Sequence, residues 1–130
     1  MEKSCGAVVL IDNKVLIVKQ NSGFYGFPKG HMEKGESETE TACREVLEET
    51  NVDIEIIDDK RYTINYIIDN GIKKEVVYFI AKPKSLFNIK KQDEEIDNIL
   101  LVDIKDVNNI LTFDNLKNLW IDILNDINNL

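Results

Sequence analysis

The sequence predicts an α/β or α+β domain in which helices pack against a mixed β-sheet. Three features support this class: strand-like runs that begin in hairpin order, an acidic amphipathic helix among them, and an apolar-striped helix near the end. Strands and helices in such an order are typical of layered domains. With 130 residues and 43% hydrophobic content, residues 1–130 are expected to form one domain with its own core.

The first elements are two strands joined by a tight turn. The runs CGAVVLI and KVLIVKQ flank the turn pair Asp12-Asn13 and predict an antiparallel hairpin. The following segment, NSGFYGFPKG, contains several glycines and a proline, which predicts a loop. This loop leads into the segment GHMEKGESETETACREVLEETNV, from Gly30 to Val52.

A helix is predicted within that segment. Ser37 is a suitable N-cap and Glu40 lies three residues later, which is the capping-box pattern. Asn51 can take the left-handed conformation that ends a helix. An apolar stripe at helical spacing is predicted to dock on the core. The stripe consists of Ala42, Cys43, Val46 and Leu47.

The remainder of the chain predicts four strands and two helices. VDIEIID, RYTINYIID and KKEVVYFIAKP are strand-like, and Asp69-Asn70-Gly71 joins the last two as a hairpin. ILLVDI predicts another strand, DVNNIL a short helix, and residues from about 114 to 129 a longer helix with apolar residues at helical spacing. These elements supply a scaffold rather than chemistry.

Three carboxylates are predicted to share one face of the first helix. Glu45, Glu48 and Glu49 fall at i, i+3 and i+4, so a helix places them together. Each like-charged i,i+4 pair costs about 0.2–0.5 kcal/mol in an isolated helix. A divalent cation offsets that repulsion, and carboxylate oxygens are the ligands that Mg²⁺ prefers. The alternative is a solvated acidic face, which a chain with 24 acidic residues could contain by chance.

The spacing resembles the signature of the Nudix hydrolase family. That signature runs glycine, five residues, glutamate, seven residues, Arg-Glu, an aliphatic residue, any residue, Glu-Glu, any residue, glycine and an aliphatic residue. The one departure is Asn51 in place of the last glycine, and asparagine also tolerates positive φ. So many fixed positions make the motif specific, and chance acidic clustering does not explain them. The matching residues are Gly30, Glu36, Arg44, Glu45, Val46, Glu48, Glu49 and Val52.

The resemblance implies a Nudix-type α/β/α sandwich that hydrolyses a phosphoanhydride bond. It implies Mg²⁺ as cofactor, with Mn²⁺ as an alternative metal. Arg44 is implied to brace a glutamate of the motif, whereas its plainer interpretation is a surface ion pair with Glu48. Either way Arg44 supports the catalytic site. The implied metal ligands are Glu45, Glu48, Glu49, Glu36 as a further member, and the backbone carbonyl of Gly30.

A general base for the attacking water is also needed. Glu48 or Glu49 can serve, and the acidic segment QDEEID offers another carboxylate. By resemblance Glu94 is the best match in that segment, with Asp93 and Glu95 adjacent. A solvated acidic loop is the competing interpretation.

Within the family the chain is most similar to asymmetrical diadenosine tetraphosphate hydrolases, which release ATP and AMP. Other substrates remain open: an RNA 5′-triphosphate end, an oxidised nucleoside triphosphate or a nucleotide sugar. A non-enzymatic nucleotide-binding domain is a further alternative. The resemblance implies that Tyr78 and Phe113 stack on adenine, although an aromatic residue in a strand often belongs to the core. The implied phosphate contacts are Lys29, His31 and Lys82 or Lys84, for which ordinary surface or loop positions are the alternative.

Charge and composition limit the classes of molecule that the chain is expected to bind. A net charge of −8 disfavours long nucleic acid, because such binding needs clustered lysines and arginines. A small nucleotide polyphosphate remains compatible, since bound cations make an acidic site attractive to phosphate. No signal peptide or membrane-length apolar run is recognised, so we expect a soluble, cytoplasmic monomer or homodimer. Cys5 and Cys43 lie in apolar stretches and are assigned no chemistry.

Overall fold

A computed structural model of the chain describes residues 1–85 and 88–129. Within these residues the backbone forms eight strands and three α-helices, with 3₁₀ turns at Asp69–Gly71 and Ile104–Asp106. The elements are β1 (Glu2–Ile11), β2 (Lys14–Gln20), β3 (Tyr25–Gly26), β4 (Lys29–His31), α1 (Glu38–Thr50), β5 (Ile54–Ile56), β6 (Tyr62–Ile67), β7 (Lys73–Pro83), β8 (Ile96–Asp103), α2 (Val107–Ile110) and α3 (Asp114–Asn128).

The strands form one mixed sheet, which confirms the predicted class. β1 runs parallel to β7, from Glu2 beside Lys74 to Val9 beside Ala81. The other described pairings are antiparallel: β1 with β2 and β4, β2 with β3 and β8, and β7 with β5 and β6. β1 is therefore the strand around which the others assemble.

Both predicted hairpin turns are present. Asp12 has φ 56° between β1 and β2, and Asn70 and Gly71 have φ 68° and 75° between β6 and β7. The segment predicted as a plain loop, residues 21–30, instead contains β3 and part of β4. Tyr25 and Gly26 pair with β2 there, so long-range pairing overrides the local glycine and proline signal.

Helices cover both faces of the sheet. On one face Val46 of α1 packs among Ala7, Val9 and Ala81. On the other face α3 inserts Trp120 and other apolar residues against the alternate side chains of β1 and β7. Successive residues of a strand point to opposite faces, so β1 serves both cores. The predicted α/β/α layering is confirmed.

The buried face of α1 differs from the predicted stripe at one position. Ala42 and Val46 are buried, but Leu47 is 42% exposed, whereas Thr41 and Glu49 are buried. The helix is thus rotated so that part of its carboxylate face turns toward the sheet. No helix in residues 1–85 or 88–129 has both the length and the apolar content needed to cross a membrane.

Candidate active site

Caps fix both ends of α1. The Ser37 hydroxyl accepts a hydrogen bond from the Glu40 amide at 3.1 Å, and the Glu40 carboxylate accepts one from the Ser37 amide at 2.9 Å. Asn51 adopts φ 63° and donates its backbone N–H to the Leu47 carbonyl at 2.9 Å. The predicted capping box and asparagine stop are therefore present. They set the register in which the helical carboxylates meet the sheet.

Arg44 gathers the glutamates of the motif. Its Nε and Nη2 donate to the two oxygens of Glu36 at 2.6 and 2.9 Å. Its Nη1 donates to Glu45 at 2.8 Å and to Glu48 at 3.3 Å. Nη2 also donates to the His31 carbonyl at 2.9 Å. The guanidinium therefore donates hydrogen bonds to three carboxylates and to one backbone carbonyl of β4, whereas the resemblance implied a contact with a single glutamate.

Glu36 accepts four hydrogen bonds in this arrangement. Besides Arg44, its Oε1 accepts from the Glu33 amide and the Thr41 hydroxyl, each at 2.9 Å. These donors, Arg44 first, lower the pKa of Glu36 to about 2. Three of the four donors bond to Oε1 and one, Arg44 Nε, bonds to Oε2, so Oε2 keeps a free lone pair. The geometry thus makes Glu36 an anchor for Arg44, and its predicted role as a metal ligand stays a prediction.

Gly30 is required by the position of Glu45. Gly30 on β4 pairs with Cys5 on β1, and a Cβ built on Gly30 would overlap the Glu45 carboxylate. Only glycine allows backbone and carboxylate to approach this closely. Burial raises the pKa of Glu45, while the Arg44 guanidinium acts in the opposite direction. The predicted glycine and glutamate of the motif are thus in contact.

Glu49 is the buried carboxylate of the group. It is 6% exposed and accepts a hydrogen bond from the Lys29 amide at 3.2 Å. Burial first, and then the negative charges of Glu45 and Asp93, raise the pKa of Glu49 to about 8 against the opposing effect of the Lys29 amide. Glu48, in contrast, has a 53% exposed side chain. The predicted carboxylates therefore range from Glu49, which is buried, to Glu48, which is exposed to solvent.

This donor set fits a divalent cation. Oxygen ligands of like charge that raise one another's pKa create a local negative field that Mg²⁺ would neutralise. In residues 1–85 and 88–129, no three acidic, His or Cys side chains already lie in ligating geometry around one point. The reason is visible at Arg44, which draws Glu45 and Glu48 toward itself. A cation would therefore compete with Arg44 for Glu45 and Glu48.

We expect Gly30→Ala to weaken metal binding. The added methyl group displaces Glu45 from β4, so Mg²⁺ affinity should fall by about 10- to 100-fold, as for other changes that misplace a ligand. The measurement is the rise in Tm on titration with Mg²⁺. An unchanged titration would show that Glu45 need not rest against Gly30.

The acidic segment before β8 reaches the carboxylates through Asp93. The charge of Asp93 raises the pKa of both Glu45 and Glu49. Glu94 is exposed, and its backbone carbonyl accepts a hydrogen bond from the Asn21 side chain. The role predicted for Glu94 stays a prediction, and the effect of charge on Glu45 and Glu49 favours its neighbour Asp93. Asp93, Glu94 and Glu95 are adjacent in the sequence, and no sequence pattern indicates which of them acts at the site.

An aromatic cavity of about 400 Å³ lies beside this group of carboxylates. Phe24 and Phe113 face each other in its wall with ring centroids 4.8 Å apart, and they are 42% and 48% exposed. The predicted Tyr78 also lines the cavity, but it is only 2% exposed and packs edge-on against Phe27 at 5.6 Å. Tyr78 therefore forms part of the core wall rather than a free stacking surface. The aromatic lining comprises Phe24, Tyr25, Phe27, Tyr66, Tyr78 and Phe113.

The basic residues predicted to contact phosphate lie in different parts of the structure. Lys29 lines the cavity while its amide contacts Glu49. His31 is exposed, with Nε2 3.4 Å from the Lys74 Nζ. Lys82 is exposed beside Glu55 at the β5 edge and does not line the cavity. The proposed phosphate contact of Lys82 is therefore not supported by its place in β7.

Comparisons with known proteins show the family of the chain. A model of the NUDIX domain matches residues 2–121. A bis(5′-nucleosyl)-tetraphosphatase (asymmetrical) of Sus scrofa is 32% identical over 97 residues, which cover 63% of this chain and 65% of that protein. An m7GpppN-mRNA hydrolase of Saccharomyces cerevisiae is 31% identical over 117 residues, covering 86% of this chain but 12% of that protein.

The fold has a close structural counterpart. The crystal structure of a C. elegans Ap4A hydrolase binary complex superposes with a TM-score of 0.87 and 24% identity, covering 100% of both chains. At 24% identity this structural similarity shows the fold alone. The match to the NUDIX domain shows the family. The chain therefore belongs to the Nudix hydrolase family.

Proposed function

We propose that this chain hydrolyses dinucleoside polyphosphates, and in particular converts diadenosine tetraphosphate and water to ATP and AMP. Mg²⁺ is the proposed cofactor, with Mn²⁺ as an alternative. The observation that carries the proposal is the place of Lys29. Its backbone amide contacts the buried Glu49 while the residue lines the aromatic cavity. A phosphate chain can thus extend from a base in the cavity to the carboxylates.

Each part of the site has a distinct task in this reaction. Glu45, Glu48 and Glu49 would hold Mg²⁺, which when bound neutralises phosphate oxygens and activates water. Arg44 holds two of these carboxylates, Glu45 and Glu48, until the cation replaces it as their partner. A carboxylate near the metal ligands takes the proton of the attacking water, and Asp93 is the candidate whose charge reaches the cluster.

Lys29 suits a phosphate contact because it is a desolvated cation. Burial lowers its pKa, as does the nearby charge of Lys74, while Glu49 and Glu45 oppose that shift. A buried ammonium gains more from a phosphate than an exposed one does, because water screens it less. Lys74 lies close enough to add to the same positive field. Phosphate binding should therefore be strongest at the junction of cavity and carboxylates.

The aromatic cavity supports a nucleoside substrate. Its volume of about 400 Å³ falls in the usual range of small-molecule sites. Phe24 and Phe113 are half-exposed, so a flat base can stack against them without opening the core. Stacking on an aromatic side chain contributes about 1–3 kcal/mol per base. The relative from Sus scrofa is named for the same class of substrate.

The yeast relative raises RNA as a rival substrate. Binding of a long RNA depends on neutralising many phosphates with clustered basic residues. This chain has a net charge of −8, and the basic residues at the site are Lys29 and Lys74 together with Arg44, which the glutamates already engage. A substrate with few phosphates suits that charge better.

A substrate panel tests the proposal. Diadenosine tetraphosphate, an oxidised nucleoside triphosphate, a nucleotide sugar, a 5′-triphosphate RNA and a capped RNA are each incubated with the protein and Mg²⁺, and the products are separated by chromatography. We expect diadenosine tetraphosphate to give the highest kcat/KM, by about tenfold or more. ADP as the main product, or preference for another member of the panel, would overturn the proposal.

We expect Phe113→Ala to raise KM for diadenosine tetraphosphate by about tenfold with kcat little changed, because stacking acts on bound substrate and transition state alike. Steady-state kinetics measure the split. Ile121→Ala is the matched control, since Ile121 is a 49% exposed apolar residue of α3 that does not line the cavity. Equal KM values for the two variants would remove Phe113 from the substrate site.

A further inference from the structure

The acidic segment before β8 is fastened to the C-terminal end of α1. Residues 88–92 form hydrogen bonds with the last turn of the helix and with its C-cap residue. Two of the bonds come from side-chain amides and one from a backbone amide. They are Asn51 Nδ2 to the Asn88 carbonyl at 2.9 Å, Gln92 Nε2 to the Leu47 carbonyl at 3.0 Å, and the Lys90 amide to the Thr50 carbonyl at 2.9 Å.

Asn51 has two separable tasks in this arrangement. Its backbone adopts φ 63° and caps the helix. Its side chain reaches across to Asn88, far along the chain. Glycine, the usual residue of the family signature at this position, can perform the first task but not the second. The single departure from the signature therefore adds a contact instead of merely being tolerated.

The fastened segment carries Asp93. Gln92 is bonded to the helix, and Asp93 follows it directly. Asp93 then begins a tight turn, in which its carboxylate accepts the Glu95 amide at 2.8 Å and its carbonyl accepts the Ile96 amide at 3.1 Å. The segment is thus held at both sides of Asp93, by α1 before it and by β8 after it.

We propose that Asn51 is a positioning residue, whose side-chain amide holds residues 88–93 on the end of α1 and so fixes Asp93 at the end of the helix that carries Glu45 and Glu49. The catalytic consequence rests on the proposed hydrolysis, whereas the attachment of the segment does not. The electrostatic effect of Asp93 on both glutamates agrees with this placement. The bonds from Lys90 and Gln92 support the same attachment.

Asn51→Gly separates the two tasks of this residue. Glycine keeps the left-handed cap, so the helix and the overall Tm should be preserved. Loss of one hydrogen bond should increase opening of the segment by about 2- to 12-fold. Amide hydrogen exchange measures this opening at Lys90 and its neighbours. We expect kcat to fall by up to the same factor, with KM unchanged.

Asn70→Gly is the matched control. Asn70 also has a positive φ, 68°, and its side chain makes no hydrogen bond to any residue within 1–85 or 88–129. This variant should leave both exchange at residues 88–93 and kcat unchanged. Gln92→Ala, in contrast, should resemble Asn51→Gly, because it removes a neighbouring attachment.

Hydrogen exchange and kcat test two separate parts of this proposal. Unchanged exchange at residues 88–93 in Asn51→Gly would overturn the attachment, whatever the protein hydrolyses. Faster exchange with unchanged kcat on the best substrate would overturn the positioning of Asp93. If the native protein proves inactive on dinucleoside polyphosphates, the proposed function fails, and exchange alone still decides whether Asn51 holds the segment.

Discussion

Glu49→Gln is expected to lower kcat by about 10²- to 10⁴-fold without weakening the metal-free fold. Glutamine keeps the shape of Glu49 and can still accept the hydrogen bond from the Lys29 amide. It removes an ionisable carboxyl group that is 6% exposed and whose charged form is disfavoured by the negative charges of Glu45 and Asp93. Activity and stability should therefore change in different directions. Steady-state kinetics and urea unfolding measure the two effects.

The stability effect has a defined dependence on pH. The pKa of Glu49 is raised from 4.5 to about 8 in the folded chain, so the folded state binds this proton more tightly than the unfolded state does. Stability attributable to Glu49 is therefore present below about pH 4.5 and is lost as the pH rises toward 8. In the presence of EDTA, wild type should weaken relative to Glu49→Gln across this window. With Mg²⁺ added, wild type should gain more stability than the variant, since it retains the ligand.

Glu55→Gln supplies the matched control, because Glu55 is an exposed glutamate of β5 away from the cluster. This control makes the same chemical substitution at an exposed position, so it should leave kcat, the Mg²⁺ response and the pH dependence unchanged. If Glu49→Gln retained wild-type turnover, Glu49 would not belong to the catalytic machinery. A variant that is less stable than wild type above pH 8 would contradict the burial argument.

The parts of the site that the sequence predicts are those encoded within one local segment. Ser37, Glu40 and Asn51 act on backbone groups a few residues away, so their spacing alone predicts α1 and its ends. The family signature contains both Gly30 and Glu45, and the structure adds that the glycine is needed because the Glu45 carboxylate packs closely against it.

The parts that the sequence does not predict depend on distant segments. Phe24 meets Phe113 because β3 and the start of α3 converge, and neither residue marks the other in the sequence. The exposure of Leu47 follows from the rotation of α1 on the sheet, which a stripe of apolar residues defines only coarsely. Similarly, the bonds that distinguish Asp93 from Glu94 come from the turn before β8 and from the distant Asn21.

Arg44→Ala is expected to destabilise the metal-free protein by about 2–3 kcal/mol, somewhat below the cost of breaking a fully buried ion pair. Arg44 is 23% exposed and donates to three carboxylates. Its loss leaves Glu36, Glu45 and Glu48 without that counter-charge, and the pKa of Glu36 should rise from about 2 toward its usual value. Arg44→Lys should recover only part of the loss, since lysine cannot reproduce the two parallel bonds to Glu36.

Urea unfolding with and without Mg²⁺ measures this effect and separates it from general damage. Because Arg44 and the cation compete for Glu45 and Glu48, added Mg²⁺ should restore more stability to Arg44→Ala than it adds to wild type. Arg61→Ala is the control: Arg61 pairs with Glu38 at 2.6 Å but is 45% exposed, so its loss should be smaller and insensitive to Mg²⁺. Equal stability losses and equal Mg²⁺ responses in the two variants would show that Arg44 is an ordinary surface ion pair. A larger Mg²⁺ response in Arg44→Ala would show instead that this arginine holds the carboxylates in place until the metal binds.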